Sequence, residues 1–318
     1  MKIDPKSLFF LILGVGLITA VSCRESKAPI VPDAASAETP DAVSLRGEPL
    51  YSPSPSERVL AEYRKYRKAF EADPQDADNN IWLGRFTAYK GDYQEAITIY
   101  TRAMERFPED PRLYRHRGHR YITIRRFDPA IQDLERAAGL IQKTPNQVEP
   151  DGMPNAQNIP VSTLHGNIWY HLGLAYYLTQ DLENALRAYI NCLDSSGNSD
   201  NLVSSTHWIY MILRRMGKKE EAETYLKPIT ADLDVIENHD YHRACLFYKG
   251  ELSLEDLTRD QTGGPGSDAV AYAVANWYLY NGERDKARSL FEDILARDTW
   301  NSFGYIAAES HYLNEFGR

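Results

Sequence analysis

The chain has 318 residues, with 36 Lys and Arg against 45 Asp and Glu and a formal net charge of −9. A hydrophobic fraction of 43% with 25% charged residues suits a globular chain and is too apolar for a disordered one; the length admits one large domain or two ordinary ones. The acidic balance argues against nucleic acid as a partner, since such binding rests on clustered basic charge, and three cysteines make neither a disulfide framework nor a zinc site.

Lys2 and Lys6 precede an apolar run from Leu8 to Val21, 14 residues long. A permanent membrane helix needs about 20, so the run suits the core of a secretory signal. It ends in Ala20-Val21-Ser22-Cys23, which resembles the lipobox of bacterial lipoproteins, with Ala20 where that family usually has Leu. The resemblance implies a signal peptide over 1–22, an acylated Cys23 and a lipid-anchored place in a bacterial cell envelope. Arg24 after the cysteine points to an outer membrane, facing the periplasm, where the cell has two membranes. An ordinary signal peptide with an incidental cysteine is the alternative. Prolines 29, 32, 40, 49, 53 and 55 lie among Ala, Ser and Asp residues that offer no apolar face, which predicts a disordered tether over 23–55 and folding from Ser56.

Helical periodicity dominates from Ser56. Residues 169–176 are W-Y-H-L-G-L-A-Y, followed by Ala185 and Tyr189. The frame recurs upstream as Leu83-Gly84, Ala96, Tyr100 and Ala103, then as Tyr114, Gly118, Tyr121, Ala130 and Leu134. Gly84 to Gly118 and Ala96 to Ala130 are each 34 apart. This resembles the tetratricopeptide repeat, W-x2-L-G-x2-Y followed by A-x3-aromatic in a 34-residue helix–turn–helix unit. Later units carry Gly217 with Ala222, a degenerate Tyr248-Lys249-Gly250, and Gly282 with Ala287 and Phe291. A helix over 56–71 leads the array and one over 301–316 caps it. The resemblance covers about 240 residues and implies an all-α, right-handed α-solenoid over 56–318. Gly84, Gly118 and Gly173 are expected where paired helices cross most closely, opposite Ala96, Ala130, Ala185, Ala222 and Ala287, because no single unit buries its apolar face alone.

Gly118 to Gly173 is 55 residues, one repeat and 21 more. The excess is an insertion at about 142–163, rich in proline, which either folds across the inner face or projects from it without a role. No GxSxG, GxxxxGK[ST], HExxH or EF-hand pattern occurs, so neither catalysis nor a cofactor is expected. Gly263 to Gly266 is a connector, because Pro265 removes an amide that a phosphate cradle would use. Cys192 and Cys245 fall at core positions. Seven histidines lie between 116 and 242, with His116/His119 and His239/His242 each on one helix face; a metal site would need three or four ligands converging, which sequence alone does not show.

In the superhelices of the resembled family, the first helix of each unit lines the concave surface. Transferred to this chain, that phase nominates Arg85, Tyr89, Arg115, His119, Tyr170, Tyr177, His207, Arg215 and Tyr272 as groove residues. The basic stretch Tyr114 to Arg120 would favour anionic groups of a guest by charge-assisted hydrogen bonds, or else pair with acids of neighbouring helices. The function implied is a membrane-tethered, non-catalytic scaffold that binds a protein segment in its groove. The alternative is a small-molecule- or metal-binding envelope protein, a hydrolase among the options, that uses the histidines and tyrosines.

Overall fold

The computed structural model describes residues 39–259 and 265–317. The expected signal peptide, Cys23, the first part of the tether and most of the glycine run near 263 lie outside them. Pro40–Arg318 forms one compact unit. It opens with a short antiparallel hairpin, β1 (Ala42–Val43) and β2 (Pro49–Leu50), and continues entirely in helices: α1 (Glu57–Ala72), α2 (Ala77–Tyr89), α3 (Tyr93–Arg106), α4 (Pro111–Thr123), α5 (Phe127–Ile141), α6 (Leu164–Leu178), α7 (Leu182–Asp194), α8 (Ser199–Arg215), α9 (Lys219–Leu226), α10 (His239–Lys249), α11 (Leu254–Thr258), α12 (Pro265–Tyr280), α13 (Arg284–Leu295) and α14 (Phe303–Phe316). Short polar side chains start many of them by accepting an otherwise unpaired first-turn amide. Ser56, Asp76, Asp110, Thr163, Asp181 and Asn198 do so, and Pro111 occupies the first turn of α4, where no amide is needed.

The pairs α2/α3, α4/α5, α6/α7, α8/α9 and α12/α13 are helical hairpins, and α2, α4, α6 and α8 pack on one another as an inner row continued through α12. The repeat register is as expected. A Cβ on Gly118 would lie 2.8 Å from Leu134 Cγ and one on Gly173 2.7 Å from the Tyr189 ring, while Gly84 faces the Tyr100 ring. Ala96, Ala130, Ala185, Ala222 and Ala287, on the second helices, are fully buried. Close backbone approach at these crossings lets the large aromatic neighbours fill the space on either side. Gly173→Leu is therefore expected to destabilise by about 1–3 kcal/mol or more through overpacking. Urea denaturation checks it, and an unchanged midpoint would mean that the two helices do not cross there.

One expectation changes. Residues 40–55, placed in the tether, are part of the fold: Ala42 is buried, the Ser52 amide donates to Asp41 Oδ2 at 2.6 Å, and Trp300 Nε1 donates to the Tyr51 carbonyl at 2.8 Å. Their prolines suppress helix but not an extended strap whose backbone is satisfied from the repeats. The C-terminal helix caps the array as expected, and it is deeply packed along its first half. Gly304 to His311 are all buried, because α14 packs on α12 and α13 and also reaches α6. Gly304 permits this: a Cβ there would collide with the Asp268 backbone, which unlike a side chain cannot swing away. The insertion, finally, takes the first of its two alternatives and lies across the inner face.

Candidate functional site

Several of the residues nominated on the first helices meet one another along the inner row. Tyr177 and Tyr272, 95 residues apart in sequence, meet hydroxyl to hydroxyl at 2.5 Å. Tyr170 accepts from Trp208 Nε1 at 2.9 Å and bonds the Tyr241 hydroxyl at 2.8 Å. His207 faces the Tyr248 hydroxyl at 3.3 Å, and the Arg215 guanidinium lies over the Tyr177 ring and donates to Gln180 Oε1 at 2.5 Å. What fails is the expectation of an open wall. Tyr177, His207 and Tyr272 are each 1% exposed, and on α8 every residue from Val203 to Leu213 is buried. An inner helix facing an open groove would keep one wet face; this one has none.

The insertion covers one part of the wall. Its Glu149 is buried and pairs with Arg115 Nη2 and His116 Nε2, each at 3.2 Å. Arg115 Nη1 meets His116 Nδ1 at 2.8 Å, and Arg85 donates to the Pro150 carbonyl at 2.8 Å. Burial opposes ionisation of Glu149, but Arg115 and His116 outweigh it and hold the carboxyl well below the usual carboxylate range. The basic stretch of α4 thus finds its anion within the chain, as one of the two sequence alternatives had it, although the acid comes from the loop and not from a neighbouring helix. Farther along, Asn155 reaches Glu237 at 3.3 Å and Asn198 donates to the Val161 carbonyl at 2.8 Å, so the insertion crosses from α2 to the start of α8 and the approach to α10.

The C-terminal segment fills the rest. The Phe303 ring sits 5.1 Å from His119 and 5.6 Å from His171, and those two imidazoles lie tilted against each other at 4.4 Å. Ser310 Oγ donates to the Leu178 carbonyl at 2.6 Å and accepts from Gln180 Nε2 at 3.1 Å. Glu309, 1% exposed, accepts from Arg125 Nε at 2.9 Å and from the Leu45 amide at 2.8 Å, while Arg125 Nη2 donates to the Trp300 carbonyl at 2.7 Å. One carboxylate therefore joins the N-terminal strap, the second repeat and the C-terminal helix.

Arg125 and Gln180 share a further property. Both stand at the turn between a repeat's two helices, seven residues after Gly118 and Gly173, where the other units have Gly91, Gly217 and Gly282. All five have positive φ, 64° at Arg125 and 67° at Gln180. A left-handed conformation costs a branched or long residue about 1 kcal/mol or more, and here that cost places two long polar side chains against α14. Two glycines missing from the repeat frame are the sequence signal for this closure. Glu149, Trp300, Phe303, Gly304 and Glu309 were missed as well, and no local pattern marks them.

The histidines serve packing. His242 Nε2 meets the Thr230 carbonyl at 2.8 Å, His165 meets Thr144 at 3.3 Å and His239 is exposed, so the two i,i+3 pairs do not converge. Among the described residues no three His, Cys, Asp or Glu side chains are arranged to hold a metal ion. Cys192 and Cys245 are buried, and burial pushes the Cys192 thiol up to about 12, as suits small core residues. Cavities persist on the inner face among the described residues. One, of about 240 Å³, lies where α6, α8 and α10 begin, beside Tyr170 and Tyr241. Another, of about 350 Å³, lies between α2, α4 and the turn before α14.

Comparison with protein families matches tetratricopeptide-repeat models over residues 60–111, 83–147 and 166–199. No curated protein matches the chain. Among solved structures it is similar to YrrB, described as a tetratricopeptide protein with an unusual peptide-binding site, at 17% identity over 73% of this chain and 92% of that one, with a TM-score of 0.42. It is also similar to MamA, at 20% identity over 53% and 87% with a TM-score of 0.41. A tetratricopeptide repeat protein from Parabacteroides merdae matches at 15% identity over 80% and 92%, with a TM-score of 0.48. These repeats are the building units of protein-interaction scaffolds. With the glycine register intact at successive crossings, residues 60–147 and 166–199 are tetratricopeptide repeats, set in a chain with an all-α solenoid fold.

Proposed function

We propose that this chain is a non-catalytic interaction scaffold, anchored to a bacterial envelope membrane through an acylated Cys23, which receives a protein segment on its insertion instead of in an emptied groove. Where the cell has two membranes, its place is the periplasmic side of the outer one. The observation that supports the docking face is the location of apolar side chains left in water. Among the described residues the exposed large hydrophobics are Val148, Met153 and Ile159 of the insertion, 56%, 47% and 44% exposed, with Val43 and Tyr51 of the N-terminal strap. The repeat core does not need them, and covering such surface contributes about 25 cal/mol per Å² to association. The inner wall, by contrast, is already packed against the chain's own residues, so a guest there would have to displace Glu149 or α14.

Anchoring by a lipid accords with the lipobox resemblance, and among the described residues no helix is long and apolar enough to cross a membrane. Replacing both Met153→Asp and Ile159→Asp is expected to abolish a protein adduct that photo-crosslinking at residue 148 yields in native envelopes, with melting unchanged. Retention of the same adduct would remove the docking face. Cys23→Ala is expected to stop palmitate incorporation and move the protein from the membrane to the soluble fraction; a variant that still sediments with membranes would end the anchoring proposal.

A further inference from the structure

The inner wall carries more cationic charge than it compensates. Arg115 has Glu149, Arg125 has Glu309, Arg85 donates to a loop carbonyl and Arg215 to Gln180. Arg120 differs. It is 9% exposed, and no carboxylate or hydrogen-bond acceptor among the described residues meets its guanidinium, which lies 6.0 Å from the centre of the Tyr93 ring. The carboxylates of the closure are already engaged, Glu309 by Arg125 and the Leu45 amide, Asp268 by Arg297 and Ser302. The Arg120 guanidinium is not sealed in the core: it opens into the cavity of about 350 Å³ between α2, α4 and residues 301–303, where no protein carboxylate balances its charge.

We propose that this cavity binds a small monocarboxylate carried on an aromatic or similarly flat apolar body, with the carboxylate paired to Arg120. A planar guanidinium matches a carboxylate with two parallel donors, and one cation balances one negative charge, where a phosphate would call for more. The Tyr93 hydroxyl accepts from Asn301 Nδ2 at 3.0 Å and so keeps its own proton to donate to the same anion. Tyr89, His119 and Phe303 supply flat walls for the body of the ligand. The volume lies within the range of small-molecule sites, which are largely apolar with a few placed polar groups. Asn301 and Phe303 belong to the closing C-terminal segment, so the site exists only in the closed chain. Nothing in it depends on the docking face of the insertion.

Calorimetry on the full chain with phenylacetate, with phenylacetamide and with a tetrapeptide ending in Phe tests the assignment. Phenylacetate is expected to saturate one site at millimolar concentration or below, and the neutral amide to bind about tenfold more weakly or not at all. Arg120→Gln is expected to reduce phenylacetate to the level of the amide, and Arg120→Lys to retain part of the affinity. Equal binding of acid and amide, no binding of phenylacetate, binding of the peptide alone, or wild-type affinity in a folded Arg120→Gln protein would each overturn the proposal. The acid–amide comparison needs no variant, so it stands even if Arg120→Gln fails to fold.

Discussion

Between pH 7 and pH 5.5 the protein is expected to lose on the order of 5 kcal/mol of stability, comparable with the whole stability of an ordinary domain. The loss comes from His116, His119, His171, His207 and His311. Burial holds all five well below the ordinary imidazole value, His171 and His207 at about 3. Nearby arginines add to the depression, Arg115 at His116 and His171, Arg120 at His119, and Arg215 at His311. The sign follows from proton counting. The unfolded chain takes up protons on these residues below about pH 6.5, while the native state keeps them neutral. Stability is therefore complete above that value and lost as the pH falls through the window beneath it, by roughly 1 kcal/mol per histidine at pH 5.5. Only His116 has a carboxylate partner, so native protonation offers little rescue. Below about pH 4.3 the unfolded chain also takes up a proton on Glu149 while the fold keeps that carboxylate ionised against Arg115, which adds a loss of the same sign. Urea midpoints at pH 7.5, 6.5 and 5.5 check this, and His207→Gln should remove one proton from the slope. A flat profile would show that the imidazoles are hydrated in the fold.

Removing one half of the Arg125–Glu309 pair is the second large effect, expected at about 3–5 kcal/mol for either Glu309→Ala or Arg125→Ala. The side chains are 1% and 2% exposed, and whichever charge remains is left without its counter-ion away from water. Glu309→Ala also orphans the Leu45 amide, so the strap should lose amide protection from hydrogen exchange along with α14. Replacing both charges by apolar residues, Arg125→Met with Glu309→Leu, should recover part of the loss, because it removes the unpaired charge but still leaves the Leu45 amide and the Thr123 and Trp300 carbonyls without these partners. Single variants that melt like the wild type would mean that the closure is not held at this point.

The two effects share an origin that divides what was legible in the sequence from what was not. The Gly and Ala ladder could be placed residue by residue because a repeat fold builds its crossings from contacts within 34 residues, and local spacing records such contacts. The inward direction of Tyr170, Tyr177, His207 and Tyr272 followed from the same helical phase. Their burial did not, since it depends on Glu149, Phe303 and Glu309, which reach them from outside the repeat frame and carry no periodic mark. The strap over 40–55 was taken for tether for a related reason: its composition forbids helix, but composition does not say whether another part of the chain will accept its backbone donors.

Sequence alone was enough for the helix pairs, their register and the residues at each crossing, because helical period and side-chain size act over short separations. Tertiary structure alone decided that the inner wall is closed. Closure rests on a few contacts between residues far apart in the chain, among them Arg125 with Glu309 and Glu149 with Arg115, and on one glycine, Gly304, that lets two backbones meet.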